Sequence, residues 1–173
     1  MLEFDSVELH RLFALLNEEL QKEDVEGEIY LVGGAVMCLV FAARGSTRDV
    51  DAFFQPSQKI REAAAKIALK LGIRQDWLND SVKAYLSPYG QFETFLEFEK
   101  LRVLTCQADY LLAMKCLAMR IGEEFHDLAD IRYLLRYLNI TTYEEALTVI
   151  TRYYPLKAFP QKTLYALEEL INS

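Results

Sequence analysis

Leu31-Val32-Gly33-Gly34 and, after an apolar interval, Ser46-Thr47-Arg48-Asp49-Val50-Asp51-Ala52 decide how this chain reads. The run 28–32 is a short strand candidate that leads straight into the two glycines. Residues 35–43 are apolar at every position and read as a buried helix, broken at Gly45-Ser46-Thr47. Residues 49–54 read as a second strand, ended by Pro56-Ser57. Strand, glycine turn, helix and strand in this order predict an α/β fold, a small mixed sheet flanked by helices.

Side chains alternate along a strand, so Asp49 and Asp51 are expected on one face and Val50 and Ala52 on the other. Two carboxylates roughly 7 Å apart at the backbone repel unless a cation lies between them. A hard divalent ion with oxygen ligands, Mg²⁺ for choice, relieves that repulsion. Such an ion is what phosphoryl and nucleotidyl transfer require. The other reading is an edge strand with two solvated acids; Val50, Phe53 and Phe54 favour a mostly buried strand instead. The glycine pair lets the backbone approach a ligand closely and turns N–H groups toward an anion, although Gly-Gly also serves tight packing. Neither the P-loop pattern nor GxGxxG is present, so those nucleotide folds have no support.

Outward from this centre, residues 6–21 form an amphipathic helix pattern with Ser6 as N-cap, and 57–71 a second, begun at Ser57 and stopped by Gly72. Trp77-Leu78-Asn79 is expected in a loop or short turn, and Pro88-Tyr89-Gly90 in a turn. Residues 92–98 alternate, with Glu93, Phe95 and Glu97 on one side, and 101–105 can pair with them as a hairpin across Glu99-Lys100. From residue 108 the period is helical, over 108–121, 124–138, 142–153 and 161–171. Residues 1–107 are therefore expected to form the α/β core and 108–173 a helical C-terminal part packed on it.

On the 108–121 helix, Ala108, Leu111, Leu112, Lys115 and Met119 fall on one stripe. Lys115 thus points into an apolar face, where an ammonium needs a carboxylate or a phosphate. A phosphate-binding Lys, a snorkelling Lys and a structural ion pair all satisfy that pattern. Asp127 falls within the apolar stripe of the next helix and Asp130 at its edge, both in the first turn, where the helix dipole favours carboxylates. A Lys115–Asp127 contact is one way to hold the Lys.

The glycine pair, the intervening helix and Asp49-Val50-Asp51 together resemble the signature of the polymerase-β-type nucleotidyltransferase superfamily. Trp77-Leu78-Asn79, the helix around Lys115 and His126-Asp127-Leu128-Ala129-Asp130-Ile131 look like elements of its AbiEii-like (type IV toxin–antitoxin) branch and of that branch's small relatives. His126 stands where that branch usually has Arg. The resemblance covers about residues 29–138. It implies a Mg²⁺- or Mn²⁺-dependent enzyme moving a nucleoside monophosphate from an NTP to a hydroxyl of an RNA 3′ end or a protein. Asp49 and Asp51 would hold the metal, Gly33, Gly34, Thr47, Arg48 and Lys115 the nucleotide, with Lys115 and Asp127 also catalytic. Ser46, Asp130 and Glu97, the last as a third carboxylate, are further candidates. A cognate antitoxin would be a partner. The alternative is an inactive nucleotidyltransferase-like module that binds a nucleotide or a partner.

Composition bounds these readings. The 173 residues carry 19 Lys and Arg against 26 Asp and Glu, a net charge of −7 that argues against a broad nucleic-acid clamp. The acids crowd residues 1–27, whereas 44–74 hold seven bases and three acids, a region able to draw an anion. Cys38, Cys106 and Cys116 are odd in number, far apart and in apolar settings, which suits reduced thiols in a cytoplasmic protein better than disulfides or zinc. The longest apolar run, 35–43, is short of the roughly 20 residues a bilayer needs, and no signal peptide is visible.

Overall fold

The computed structural model describes residues 3–119 and 126–173. The chain is mixed α/β and divides into two compact units, Met1–Ala84 with Phe92–Cys106, and Tyr85–Gln91 with Gln107–Ser173.

The first unit is built on a five-stranded sheet. In chain order its elements are α1 (Ser6–Glu23), β1 (Gly27–Val32), α2 (Gly34–Leu39), β2 (Val50–Gln55), α3 (Ser57–Leu71), β3 (Leu78–Asn79), β4 (Phe92–Glu97) and β5 (Leu101–Cys106). The strands lie in the order β3-β2-β1-β5-β4. β1 runs antiparallel to β2 and parallel to β5, and the β4–β5 hairpin closes one edge. Ile29, Leu31, Val50, Ala52, Phe54, Leu101 and Val103 make one face of the sheet and are buried. α1 and α3 cover that face: a Cβ placed on Gly27 would meet Ile60 of α3 at 3.0 Å and Leu20 of α1 at 3.1 Å.

Several local expectations shift. Asp5, not Ser6, caps α1: its carboxylate accepts from the Glu8 N–H at 2.8 Å while Glu8 Oε2 accepts from the Asp5 N–H at 2.9 Å. That reciprocal pair satisfies two orphan donors at once. Pro56 precedes the first turn of α3, and Ser57 lies inside it. Trp77-Leu78-Asn79 is not a loop: Leu78 and Asn79 pair with Val50 and Asp51 as β3, and Trp77 is fully buried with Nε1 donating to the Ala64 carbonyl at 3.0 Å. α2 ends at Leu39, well before residue 43, and the chain turns through Ala42 at a left-handed φ of 51°. A bulge between Thr94 and Leu96 interrupts β4. Glu93 lies opposite Thr105 and Glu97 opposite Arg102, so the two glutamates point to opposite sides of the sheet. Simple alternation had placed them together.

The second unit is helical: α4 (Ala108–Leu117), α5 (Asp127–Tyr137), α6 (Tyr143–Ile150) and α7 (Gln161–Asn172). The expected helix ends at 120–121 and 124–125 lie outside the described residues. Thr142 caps α6, accepting from the Glu145 N–H at 3.2 Å. The 85–91 segment is bound to these helices by tyrosines. Ser87 donates its N–H to Tyr110 Oη at 2.8 Å and its hydroxyl to the Tyr153 carbonyl at 2.6 Å, and Tyr154 Oη donates to the Tyr85 carbonyl. A Cβ on Gly90 would sit 2.0 Å from the Tyr110 ring, so only glycine fits that approach. The three cysteines are buried and form no disulfide, and burial pushes the Cys116 thiol up to about 12. Among the described residues no helix is long and apolar enough to cross a membrane.

Candidate functional site

Val32, the last residue of β1, lies opposite Asp51 in the antiparallel register. The chain then turns at Gly33, whose φ of 69° and ψ of −147° form a combination essentially reserved for glycine. A Cβ there would stand 3.1 Å from Asp51 Oδ2. The carboxylate therefore lies directly against the turn.

Gly34 has a second reason to lack a side chain. A Cβ on it would be 2.7 Å from Arg44 Nη1 and 2.7 Å from Thr47 Oγ1. A guanidinium and a hydroxyl thus converge over the glycine pair, beside Asp51. The connection from α2 to β2 brings them there. Thr47 is buried and exchanges backbone hydrogen bonds with Phe4, at 2.7 and 2.9 Å, which pins the segment. Its hydroxyl donates to the Asp49 carbonyl at 3.2 Å.

Asp49 sits one residue ahead of β2, with its side chain 39% exposed. Arg74 Nη2 lies 3.6 Å from its Oδ2 and also donates to the Arg48 carbonyl at 3.4 Å. That geometry is loose for a charged pair. The Arg48 side chain is exposed. Ser46 donates its hydroxyl to Glu3 at 3.0 Å, which turns it to the N-terminal segment. The structure thus brings Gly33, Gly34, Thr47 and Asp51 together, with Asp49 and Arg48 on the adjoining turn. Arg44 and Arg74 join them without having been singled out from sequence. Both were visible only as part of the basic excess over 44–74; the contact of Arg44 depends on the left-handed turn at Ala42, which no local pattern announces.

Glu97 lies elsewhere. β4 is three strands from β2, about 14 Å across the sheet. Glu97 lines a cleft of about 490 Å³ with Glu28, Gln55, Lys100 and Arg102. Among the described residues no three acidic, His or Cys side chains are grouped to hold a metal ion. The oxygens against the glycine pair are those of Asp51 and Thr47, with Asp49 on the adjoining turn.

In the helical unit Lys115, Asp127 and Asp130 form their own cluster. Lys115 Nζ is 2.8 Å from Asp130 Oδ2 and 3.4 Å from Asp127 Oδ1, and all three residues are under 10% exposed. The acids occupy the first turn of α5, where the helix dipole also favours them. The ion-pair alternative for Lys115 is the arrangement found, with Asp130 as the nearer partner. Both carboxylates would compete with a phosphate for this ammonium.

No family model matches the chain, and no curated protein matches it. Among solved structures, the chain is similar to the crystal structure of an antigenic nucleotidyltransferase-like protein from Paracoccidioides brasiliensis. The two are 16% identical over 95% of each chain, with a TM-score of 0.47. That is a likeness in outline, and the reading of the site rests on the residues of this chain: a glycine turn closed on Asp51, roofed by Arg44 and Thr47.

Proposed function

We propose that this chain is a metal-dependent nucleotidyltransferase, with the Gly33–Asp51 cluster as the place where a nucleoside triphosphate is held and cleaved. The observation that carries the reading is the double absence of Cβ atoms: Gly33 admits the Asp51 carboxylate, and Gly34 admits Arg44 and Thr47. Acid and base are gathered around the half-buried glycine pair.

The donor set fits a hard divalent cation. Mg²⁺ is commonly held by one or two carboxylates, with phosphate oxygens and water completing the octahedron. Asp49 and Asp51 would be those carboxylates, for Mg²⁺ or Mn²⁺. When bound, the ion supplies charge neutralisation at the phosphate oxygens. The guanidinium of Arg44 presents a planar fork to two phosphate oxygens. Exposed Arg48 adds a second positive charge, and Thr47 holds the turn that carries both. An acceptor hydroxyl would then attack the α-phosphorus in line: the new O–P bond forms as the bond to the bridging oxygen breaks, pyrophosphate leaves, and the hydroxyl proton passes to water. Lys115, fixed by Asp130 and Asp127, orders α4 against α5 in this reading. The acceptor is a hydroxyl of an RNA 3′ end or a protein, a cytoplasmic setting suits the three buried thiols, and a toxin–antitoxin role of the AbiEii-like kind follows as part of the same proposal.

One observation favours a second reading, a nucleotide-binding module without turnover: among the described residues no third carboxylate stands beside Asp49 and Asp51 to activate the acceptor. Transfer of label from an α-labelled NTP, measured for the wild type and for Asp49→Asn and Asp51→Asn, separates the two. Wild-type product lost in both variants supports the enzyme. Binding of Mg²⁺–NTP with no product supports the module. Full activity in both variants removes the metal role.

A further inference from the structure

The sheet face opposite α1 and α3 carries aromatic rings that the phosphate and metal groups do not use. Directly opposed residues of a ladder share a face, and so do alternate residues of a strand. Asp51, Phe53 and Gln55 of β2 therefore lie on the same side as Val32, Tyr30 and Glu28 of β1. Phe92 of β4 joins them there. The ring of Tyr30 is 5.7 Å from that of Phe53 and 5.1 Å, edge-on, from that of Phe92. All three rings are half-buried, leaving surface for a ligand.

The patch is placed and stiffened for a task. Phe53 is two residues along the strand from Asp51, about 7 Å, which matches the span of a ribose between its 5′-phosphate and its base. Tyr30 is tethered: its hydroxyl donates to Glu28 Oε1 at 3.0 Å. Glu28 is fixed in turn by Gln55 Nε2 at 2.9 Å and by the guanidinium of Arg102. The polar groups nearest the rings thus bond to one another.

We propose that Phe53 and Tyr30, buttressed by Phe92, are the stacking platform for the nucleobase of the bound triphosphate, a proposal that rests on the reading of the Gly33–Asp51 cluster as its phosphate site. Every base has a π-face, so the platform accepts all four nucleotides and favours purines by their larger area.

The test titrates the full chain, with Mn²⁺ present, with inorganic tripolyphosphate, ATP and CTP. ATP is expected to bind about ten-fold more tightly than tripolyphosphate, with CTP between them. Phe53→Leu should bring ATP down to the tripolyphosphate level while leaving tripolyphosphate binding unchanged, which also certifies the fold. Phe53→Trp should tighten ATP, and Tyr30→Leu should repeat the loss. Equal wild-type affinities for ATP and tripolyphosphate overturn the platform and leave the phosphate site standing. Failure of both ligands to bind overturns the phosphate site and the platform with it.

Discussion

Gly34→Ala tests the convergence over the glycine turn. The added methyl would lie 2.7 Å from both Arg44 Nη1 and Thr47 Oγ1. Arg44 can retreat, because the contact is at the tip of a long side chain. Thr47 cannot easily do so: it is 4% exposed, and its backbone is bonded to Phe4 in both directions. Rotating its side chain forfeits the bond to the Asp49 carbonyl, worth about 1 kcal/mol, and overpacking adds roughly 1–3 kcal/mol. Against this stands the gain from replacing a helical glycine by alanine, about 0.4–1 kcal/mol where the backbone is compatible. Overpacking wins, and we expect a net loss of about 1–3.5 kcal/mol, or roughly 2–14 °C in Tm for a chain of this size. Urea unfolding measures the stability, and Mn²⁺–tripolyphosphate titration measures what displacing Arg44 does to anion binding, which should fall at least ten-fold. A variant more stable than the wild type, with unchanged tripolyphosphate affinity, would show that Arg44 and Thr47 do not close over Gly34.

Other perturbations reach the rest of the molecule. Lys115→Met leaves two buried carboxylates without their ammonium and should cost about 3–5 kcal/mol in urea unfolding; a loss under about 1 kcal/mol would mean the cluster is solvated. Gly90→Ala drives a methyl into the Tyr110 ring from 2.0 Å and should destabilise the chain by about 1–3 kcal/mol or more, seen as a lower Tm; an unchanged Tm would show that the 85–91 segment is not seated on Tyr110. Hydrogen bonding from Lys70 holds the Glu19 carboxyl below its ordinary value of 4.5. Its contribution is therefore complete above pH 4.5 and is lost as pH falls through the lowered folded-state value. The stability difference between wild type and Glu19→Gln should be constant from pH 7 to 5 and shrink below pH 4.5. A difference that grows with acid would contradict that sign.

The glycine turn and the strand that carries Asp51 were legible because each is set by neighbours in sequence, whereas Asp49 falls one residue ahead of that strand. An apolar strand ending in Gly33-Gly34 and an i, i+2 pair of aspartates need no long-range information. What escaped depended on partners remote in sequence. Leu78-Asn79 is too short to read as a strand until Val50-Asp51 is there to pair with it. Glu93 and Glu97 were expected on one face because alternation was carried through Phe95, and the bulge is a property of the pairing with β5 rather than of β4 alone. Arg44 was one base among seven, and only the backbone reversal at Ala42 carries its guanidinium back over Gly34. Asp5 displaced Ser6 as cap because Glu8 stands three residues after Asp5, a spacing that completes the reciprocal box.

The two charged clusters contain the same chemistry and differ in solvent. In the helical unit Lys115 and its two aspartates are under 10% exposed, and the closer contact is 2.8 Å. Charges removed from water that far are costly unless paired, so the pairing is a condition of folding there. An incoming anion would have to compete there with two carboxylates already desolvated around the ammonium. Beside the glycine turn the balance is reversed. Asp49 is 39% exposed and its contact with Arg74 is 3.6 Å, where water screens the attraction and little is lost by releasing it. A divalent ion and a phosphate can therefore exchange partners with Asp49 and Arg74 at small cost to stability. A basic side chain in a nucleotide site must be able to leave its resting partner, and by that criterion exposed Arg48 suits phosphate better than Lys115 does. Arg48→Ala should therefore weaken tripolyphosphate binding with less than about 1 kcal/mol lost in unfolding, the opposite pattern to Lys115→Met.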